Sequence, residues 1–389
     1  ELFFYQNPLR SSSGRTSWHG CPCCVGNIPR TLLAIKDLMY AITAAGDEVY
    51  ITHFVASEAT VPDIAGTAVG IRQETDYPWD GKIAVTLTPE APSQFTIRLR
   101  IPDRTESHLY HAVPDLSGQF ALKVNGEATT AVLEKGYVGL RRTWKTGDRI
   151  ELALPMAVQR MYCDGRVEAN RGRVALQRGP LVYNVEDADH EERCHRLTLD
   201  PDQSLTTRWD GAFLGGSLLI QGGAITALPN FQRLNRGGSC NVWIAEDTEL
   251  LGLDSLAGQA AVSVSYAREG MDPYVVNDPS AQRNFDFWPH KGDTEWIQYD
   301  FRKACTVAAV TVRWFDDTGV GQCRIPASWQ VQYQTEDGRW LAVDSASGYG
   351  TAKDTVHRVT FAPVTTPALR ISLELQPDWS AGLWEWGVE

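Results

Sequence analysis

Phe95-Thr96-Ile97-Arg98-Leu99-Arg100-Ile101 alternates apolar and polar side chains at every step. A period of two puts Phe95, Ile97, Leu99 and Ile101 on one face of a strand, with Thr96, Arg98 and Arg100 on the other. The pattern recurs in Ile83, Val85 and Leu87, and again in Ile150, Leu152 and Leu154. Asp80-Gly81, Asn125-Gly126 and Gly147-Asp148 punctuate these runs with turn residues. Short half-buried strands with frequent turns predict a β-sandwich or jelly roll over residues 49–157.

Working outward, residues 158–246 read as a second β domain. It holds Val174 to Val185, broken at Gly179-Pro180, and later Asn241 to Ile244. The glycine-rich stretch from Gly211 to Gly223 reads as irregular. Residues 247–389 read as a further β-sandwich, with strands expected at Trp296–Phe301, Val307–Phe315, Trp329–Tyr333 and Ala368–Leu375. Upstream, residues 1–48 carry the one helical pattern. Asn27 is the expected N-cap, Pro29 sits in the first turn, and Gly46 is the expected C-cap. Leu32, Leu33, Ile35, Leu38, Met39 and Ile42 recur at helical spacing. The predicted fold class is mainly β: tandem β-sandwich or jelly-roll domains preceded by a helical segment.

A length of 389 residues predicts two or three domains. The 43% hydrophobic and 22% charged content is that of a folded globular chain. A net charge of −12 argues against nucleic acid and against an anionic membrane surface as partners. No run approaches the roughly 18 apolar residues of a membrane span. The opening ELFFYQNPLR has no Met, basic region or cleavage site, and reads as a chain entered midway. Thirteen Trp and thirteen Tyr suit either sandwich cores or sugar faces. The eight cysteines do not form a disulfide framework, because three fall within four residues and the rest are scattered. The sequence leaves a Cys305–Cys323 bridge open.

That cluster is the chemistry-bearing feature. Trp18-His19-Gly20-Cys21-Pro22-Cys23-Cys24-Val25-Gly26-Asn27 leads straight into the helix. Helix N-termini favour thiolate over thiol. Adjacent cysteines are poor disulfide partners, yet both can reach one soft metal at about 2.3 Å. A complete structural zinc site would need a second Cys/His pair, and none follows. His19 is a conceivable ligand or a structural neighbour of Trp18. A metal or nucleophilic role stands against three inert thiols.

The string CPCCVGNIPRTLL resembles the cysteine-pair signature of glycoside hydrolase family 127 and relatives such as family 146. Further similar stretches follow in order: QETDYPWDG at 73–81, RLRIPD at 98–103, GYVGLRRTWKTGD at 136–148, GRVALQRGPLVYNVE at 172–186 and NRGGSCNVWI at 235–244. The resemblance covers residues 1–246. It implies a retaining β-L-arabinofuranosidase acting on plant-type oligo- or polysaccharide, with zinc held by three cysteines and a glutamate. It casts Cys23 as nucleophile and zinc ligand, Cys24 as zinc ligand, and leaves Cys21 without a role. A glutamic acid would serve as acid and base. The family's (α/α)6 barrel, its remaining ligands and that glutamate lie before the cysteine pair. Residues 1–48 would then be the end of the barrel, and the chain is expected to be inactive without the upstream segment; Glu1 lies too near the pair to supply the glutamate. The substrate class implies a periplasmic or secreted location.

Residues 247–389 resemble a discoidin-type module similar to carbohydrate-binding module family 32, through Asn277-Asp278, TEWIQYDF at 294–301, VRWFDDTG at 312–319, PASWQVQYQ at 326–334 and Leu383-Trp384-Glu385-Trp386. The resemblance implies a structural calcium at Asp278 and Glu385. Trp288, His290, Trp340, Tyr349 and Trp379 are candidates for sugar contact or for packing. The alternative reading of the whole chain is a non-catalytic glycan-binding β-sandwich protein.

Overall fold

The computed structural model describes residues 4–5, 7–11, 14–21, 23–102, 108–268, 270–279, 281, 283–345 and 347–389. Glu1, Pro22 and Asp103 lie outside the described residues.

The decisive run becomes the strand Ser93–Arg100. It pairs antiparallel with Tyr137–Trp144 and parallel with Glu48–Ile51, at the centre of a five-stranded sheet. Phe95, Ile97 and Leu99 are fully buried, as are Val49, Ile51, Val138 and Trp144 beside them. A six-stranded sheet supplies the facing half of the core with Ile71, Ile83, Val85, Leu87, Ile150 and Leu152. Trp144 Nε1 donates to the Phe95 carbonyl at 3.0 Å, so the largest side chain in this core leaves no polar atom unpaired. On the other face Arg98 forks onto Glu48, at 2.8 and 3.0 Å. That bidentate bond holds the Glu48 carboxyl below its ordinary range. Thr96, a polar-face residue, is nevertheless buried between its two paired neighbours.

The second β body is built on the sheet order Thr206–Asp210, Ser217–Gly222, Ile225–Pro229, Leu181–Glu186, Arg173–Arg178, Val158–Cys163 and Tyr110–Val113. The last strand comes from within the first sandwich's segment, so the two bodies share a sheet. Arg10–Ser11 joins it too, paired with Cys240–Asn241. Ser217–Gly222 corrects the expectation that 211–223 is irregular: Leu219 and Ile220 are buried, and that burial outweighs the flanking glycines.

The third body is a seven-stranded sheet whose longest strands are Thr294–Phe315 and Val356–Glu374. Their register shifts at Asp300/Cys305 and again at Val307/Ala309. Such irregularities bend strands, and residues on both sides of the bends enter one core. Trp296–Phe301 and Val307–Phe315, expected as separate strands, are two arms of one. Tyr299 stacks on Trp386 with centroids 3.8 Å apart and donates to the Trp386 carbonyl at 2.7 Å.

The helix is shorter than its apolar spacing suggests. It spans Asn27–Leu38 and follows Gly26, so Asn27 lies inside it rather than capping it. Tyr40–Ile42 is a strand, paired with Glu48–Ile51. Gly46, at φ +67°, closes the turn of that hairpin, its N–H donating to Thr43 O at 2.9 Å. Strand pairing therefore claims the residues that would have made the last helical turn. No helix residue is buried: Leu32 is 66% exposed and Leu33 76%. Cys305 and Cys323 are both free thiols. Cys305 lies in the long strand opposite Thr366, and Cys323 bridges to Ser380 in a loop, so the pairing considered above does not form. No helix among the described residues is long and apolar enough to cross a membrane.

Candidate functional site

The cysteines sit in a turn ahead of the helix, where Asn27 N–H donates to Cys24 O at 3.1 Å. All three thiols are exposed. Cys21 Sγ donates to Cys23 Sγ at 3.4 Å, and Cys23 Sγ lies 3.7 Å from Cys24 Sγ. Tyr5 Oη stands 3.3 Å from Cys23 Sγ and accepts from Cys24 Sγ at 3.3 Å. Contacts with Tyr5 first, then with Cys21 and Cys24, hold the Cys23 thiol below the ordinary range. The reciprocal effect raises the Tyr5 hydroxyl. The three partners all favour the thiolate form of Cys23.

Two sulfurs on one tetrahedral zinc, each bonded at about 2.3 Å, stand about 3.8 Å apart. The Cys23–Cys24 spacing fits that edge. Among the described residues no group of three or more His, Cys, Asp or Glu side chains is arranged to hold a metal ion. The pair therefore offers two corners of a tetrahedron. His19 is turned to Thr16, with Nε2 3.2 Å from Oγ1, and its ring lies 5.4 Å from that of Tyr5.

The other predicted residues fall in the third body. Asp278 is buried and ion-paired with Arg10 Nη1 at 3.3 Å. Glu385 is exposed on the strand Gly382–Val388, opposite Arg313. The aromatic candidates separate. Trp288 is 41% exposed, with Nε1 3.4 Å from Gln322 Oε1. Trp379 carries Arg324 at 3.9 Å over its ring. Gln322 and Arg324 share one loop, so Trp288 and Trp379 lie around the same end of the sandwich. Tyr349 packs on Trp329 and accepts from Val331 N–H, which is a core role. Trp340 and Trp296 clasp Arg370 between them at 4.1 and 4.2 Å. His290 stacks on Tyr266 and bonds to Glu295.

Sequence reading missed Tyr5, Arg10 and His195. Tyr5 and Arg10 sit in an N-terminal run with no periodic signal, and only the fold shows what they touch. His195 is 3% exposed; its Nδ1 stands 3.7 Å from Asp272 Oδ2, and its ring packs edge-on to Tyr274 at 5.2 Å. Burial pushes its pKa down to about 4.

Residues 48–156 match the beta-L-arabinofuranosidase, GH127 middle domain, and residues 158–245 match the glycoside hydrolase family 127 C-terminal domain. The chain is 32% identical over 183 residues to the non-reducing end beta-L-arabinofuranosidase of Bifidobacterium longum subsp. longum. That match takes in 46% of this chain and 25% of the relative. The solved GH127 beta-L-arabinofuranosidase of Geobacillus stearothermophilus T6 superposes with a TM-score of 0.56 at 31% identity, over 64% of this chain and 43% of that one. A second solved GH127 beta-arabinofuranosidase gives a TM-score of 0.59 at 28% identity, over 64% and 42%. The chain thus spans about a quarter of the curated relative's length and less than half of these solved chains. Through the two adjoining domain matches, which follow the β bodies described above, residues 48–245 belong to glycoside hydrolase family 127.

Proposed function

We propose that the chain is the C-terminal portion of a retaining glycosidase acting on β-L-arabinofuranosides of plant glycans, with Cys23 as nucleophile and Cys24 as a zinc ligand. The observation that carries the reading is the Cys23–Cys24 sulfur spacing of 3.7 Å, presented on a family 127 framework. Bound zinc would keep the thiolates deprotonated and temper their nucleophilicity. Cys23 Sγ attacks the anomeric carbon as the bond to the departing oxygen breaks. A glutamic acid of the upstream barrel gives that oxygen its proton and later takes one from water. Tyr5 steadies both thiols from the side. The exposed helix face of Leu32, Leu33 and Leu38 supports docking against that barrel. Joined to the barrel, the protein should bind one zinc per chain, and Cys24→Ser should lower zinc affinity by about tenfold or more. Unchanged affinity by chelator competition would refute the assignment.

The third body, in the same proposal, is a discoidin-like glycan-binding module. The clustering of Trp288 and Trp379 with Gln322 and Arg324 supports it. Trp288→Ala with Trp379→Ala should abolish retention on arabinan or arabinogalactan in a pull-down; equal retention would contradict it. A periplasmic or secreted location belongs to the same proposal; calcium at Asp278 and Glu385 would have to displace Arg10 from Asp278. A melting temperature indifferent to calcium and chelator would remove the calcium assignment.

A further inference from the structure

The N-terminal segment is a loop closed on itself, since Tyr5 meets Cys23 and Cys24. Between those ends it is anchored to the second body, where Asn7 Oδ1 accepts from Arg233 at 2.6 Å. Arg15 donates to the carbonyls of Arg233 and Phe231, at 2.8 and 2.7 Å, on the second body. Arg10–Ser11 adds a short strand beside Cys240–Asn241, and Val242 N–H donates to Leu9 O at 2.8 Å. Two paired residues make a weak strand. The Arg10 side chain, however, crosses to the third body. Its guanidinium meets Asp278 at 3.3 Å and Asp272 at 4.0 Å; these carboxylates are 6% and 11% exposed. Asp272 also caps the short helix Pro273–Asn277 by accepting from Tyr274 N–H at 3.1 Å, so its position is fixed by its own body.

We propose that the C-terminal body braces the cysteine segment through Arg10, which makes Arg10 a positioning residue for the site and gives the appended domain a role besides sugar binding. Arg10 lies within a segment that has thiols at one end and Tyr5, their hydrogen-bond partner, at the other. A cation hydrogen-bonded to one buried carboxylate, with a second, half-buried one 4.0 Å away, resists displacement more than an exposed ion pair does. The same domain boundary offers such an exposed pair for comparison, Arg302 with Glu192, whose side chains are 70% and 42% exposed. The positioning role rests on Cys23 and Cys24 being the working thiols, whereas the brace itself does not.

The test uses the 389-residue chain and needs neither zinc nor substrate. Hydrogen–deuterium exchange and the ratio of Cys23 to Cys24 alkylation by iodoacetamide are compared in Arg10→Met, Arg10→Lys, Asp278→Asn and Arg302→Ala. Arg10→Met and Asp278→Asn should speed exchange at residues 9–11 and 240–242 by about tenfold or more and shift the thiol ratio. Arg10→Lys should restore most of both, and Arg302→Ala should change neither. An unchanged thiol ratio in Arg10→Met overturns the proposal, as does an equal effect from Arg302→Ala. Failure of the functional reading would show instead as activity that survives loss of Cys23, with these readouts untouched.

Discussion

Cys23 and His195 are both titratable, and their surroundings push them in different ways. Cys23 is exposed, and its contacts with Tyr5, Cys21 and Cys24 push its pKa down. His195 is buried among Asp272 and Asp278, which favour its cation, and Arg10 and Arg193, which oppose it. Desolvation dominates and holds the ring neutral, at about 4 against an ordinary value of 6.5. The unfolded chain therefore binds more protons than the folded one between pH 4 and 6.5. Stability from this group should rise with pH across that window and fall as acid is added, by about 3 kcal/mol at most. Urea midpoints measured from pH 4 to 7 should show the slope, and His195→Gln should flatten it; the same slope in the variant would contradict the account. Tyr299→Phe isolates another buried group. It leaves the Trp386 carbonyl without its 2.7 Å donor and should cost about 1–2 kcal/mol by denaturant unfolding.

Elements were legible where one periodicity met one face. The alternation at 95–101 gave a strand with the expected core side, since both paired neighbours keep the same register. Helical spacing located Asn27–Leu38 but not its end, because spacing at Met39 and Ile42 carries no information about a strand partner at Glu48–Ile51. Ser217–Gly222 was hidden by its glycines, and the bent strand Thr294–Phe315 by the polar run at its bulge. The cysteine pair was legible because its chemistry is local; Tyr5 and Arg10 were not, because their partners lie far off in sequence. The exposed helix face belongs to this scale too. Leu32→Glu with Leu33→Glu should move the melting temperature of this chain by no more than a degree or two, since neither side chain is buried. If the proposed upstream barrel docks on this face, the same pair should prevent that assembly, read by co-purification. A large loss of stability in the isolated chain would mean that the helix packs on this chain's own body.

At the scale of the molecule, three β bodies carry one short segment that bears the thiols. The first two share a sheet through Tyr110–Val113, and the second and third meet across Arg10, His195 and Tyr274. In the proposed function this arrangement would offer zinc two thiol ligands beside the exposed apolar side chains of the helix. The other ligands and the acid/base carboxylate would come from the barrel. The most direct test joins residues 1–389 to that barrel and measures kcat/KM on an aryl β-L-arabinofuranoside for the parent and for Cys23→Ser, with zinc content and melting temperature recorded alongside. The account predicts a loss of about 10³-fold or more in a folded protein; turnover within a few-fold of the parent would contradict it.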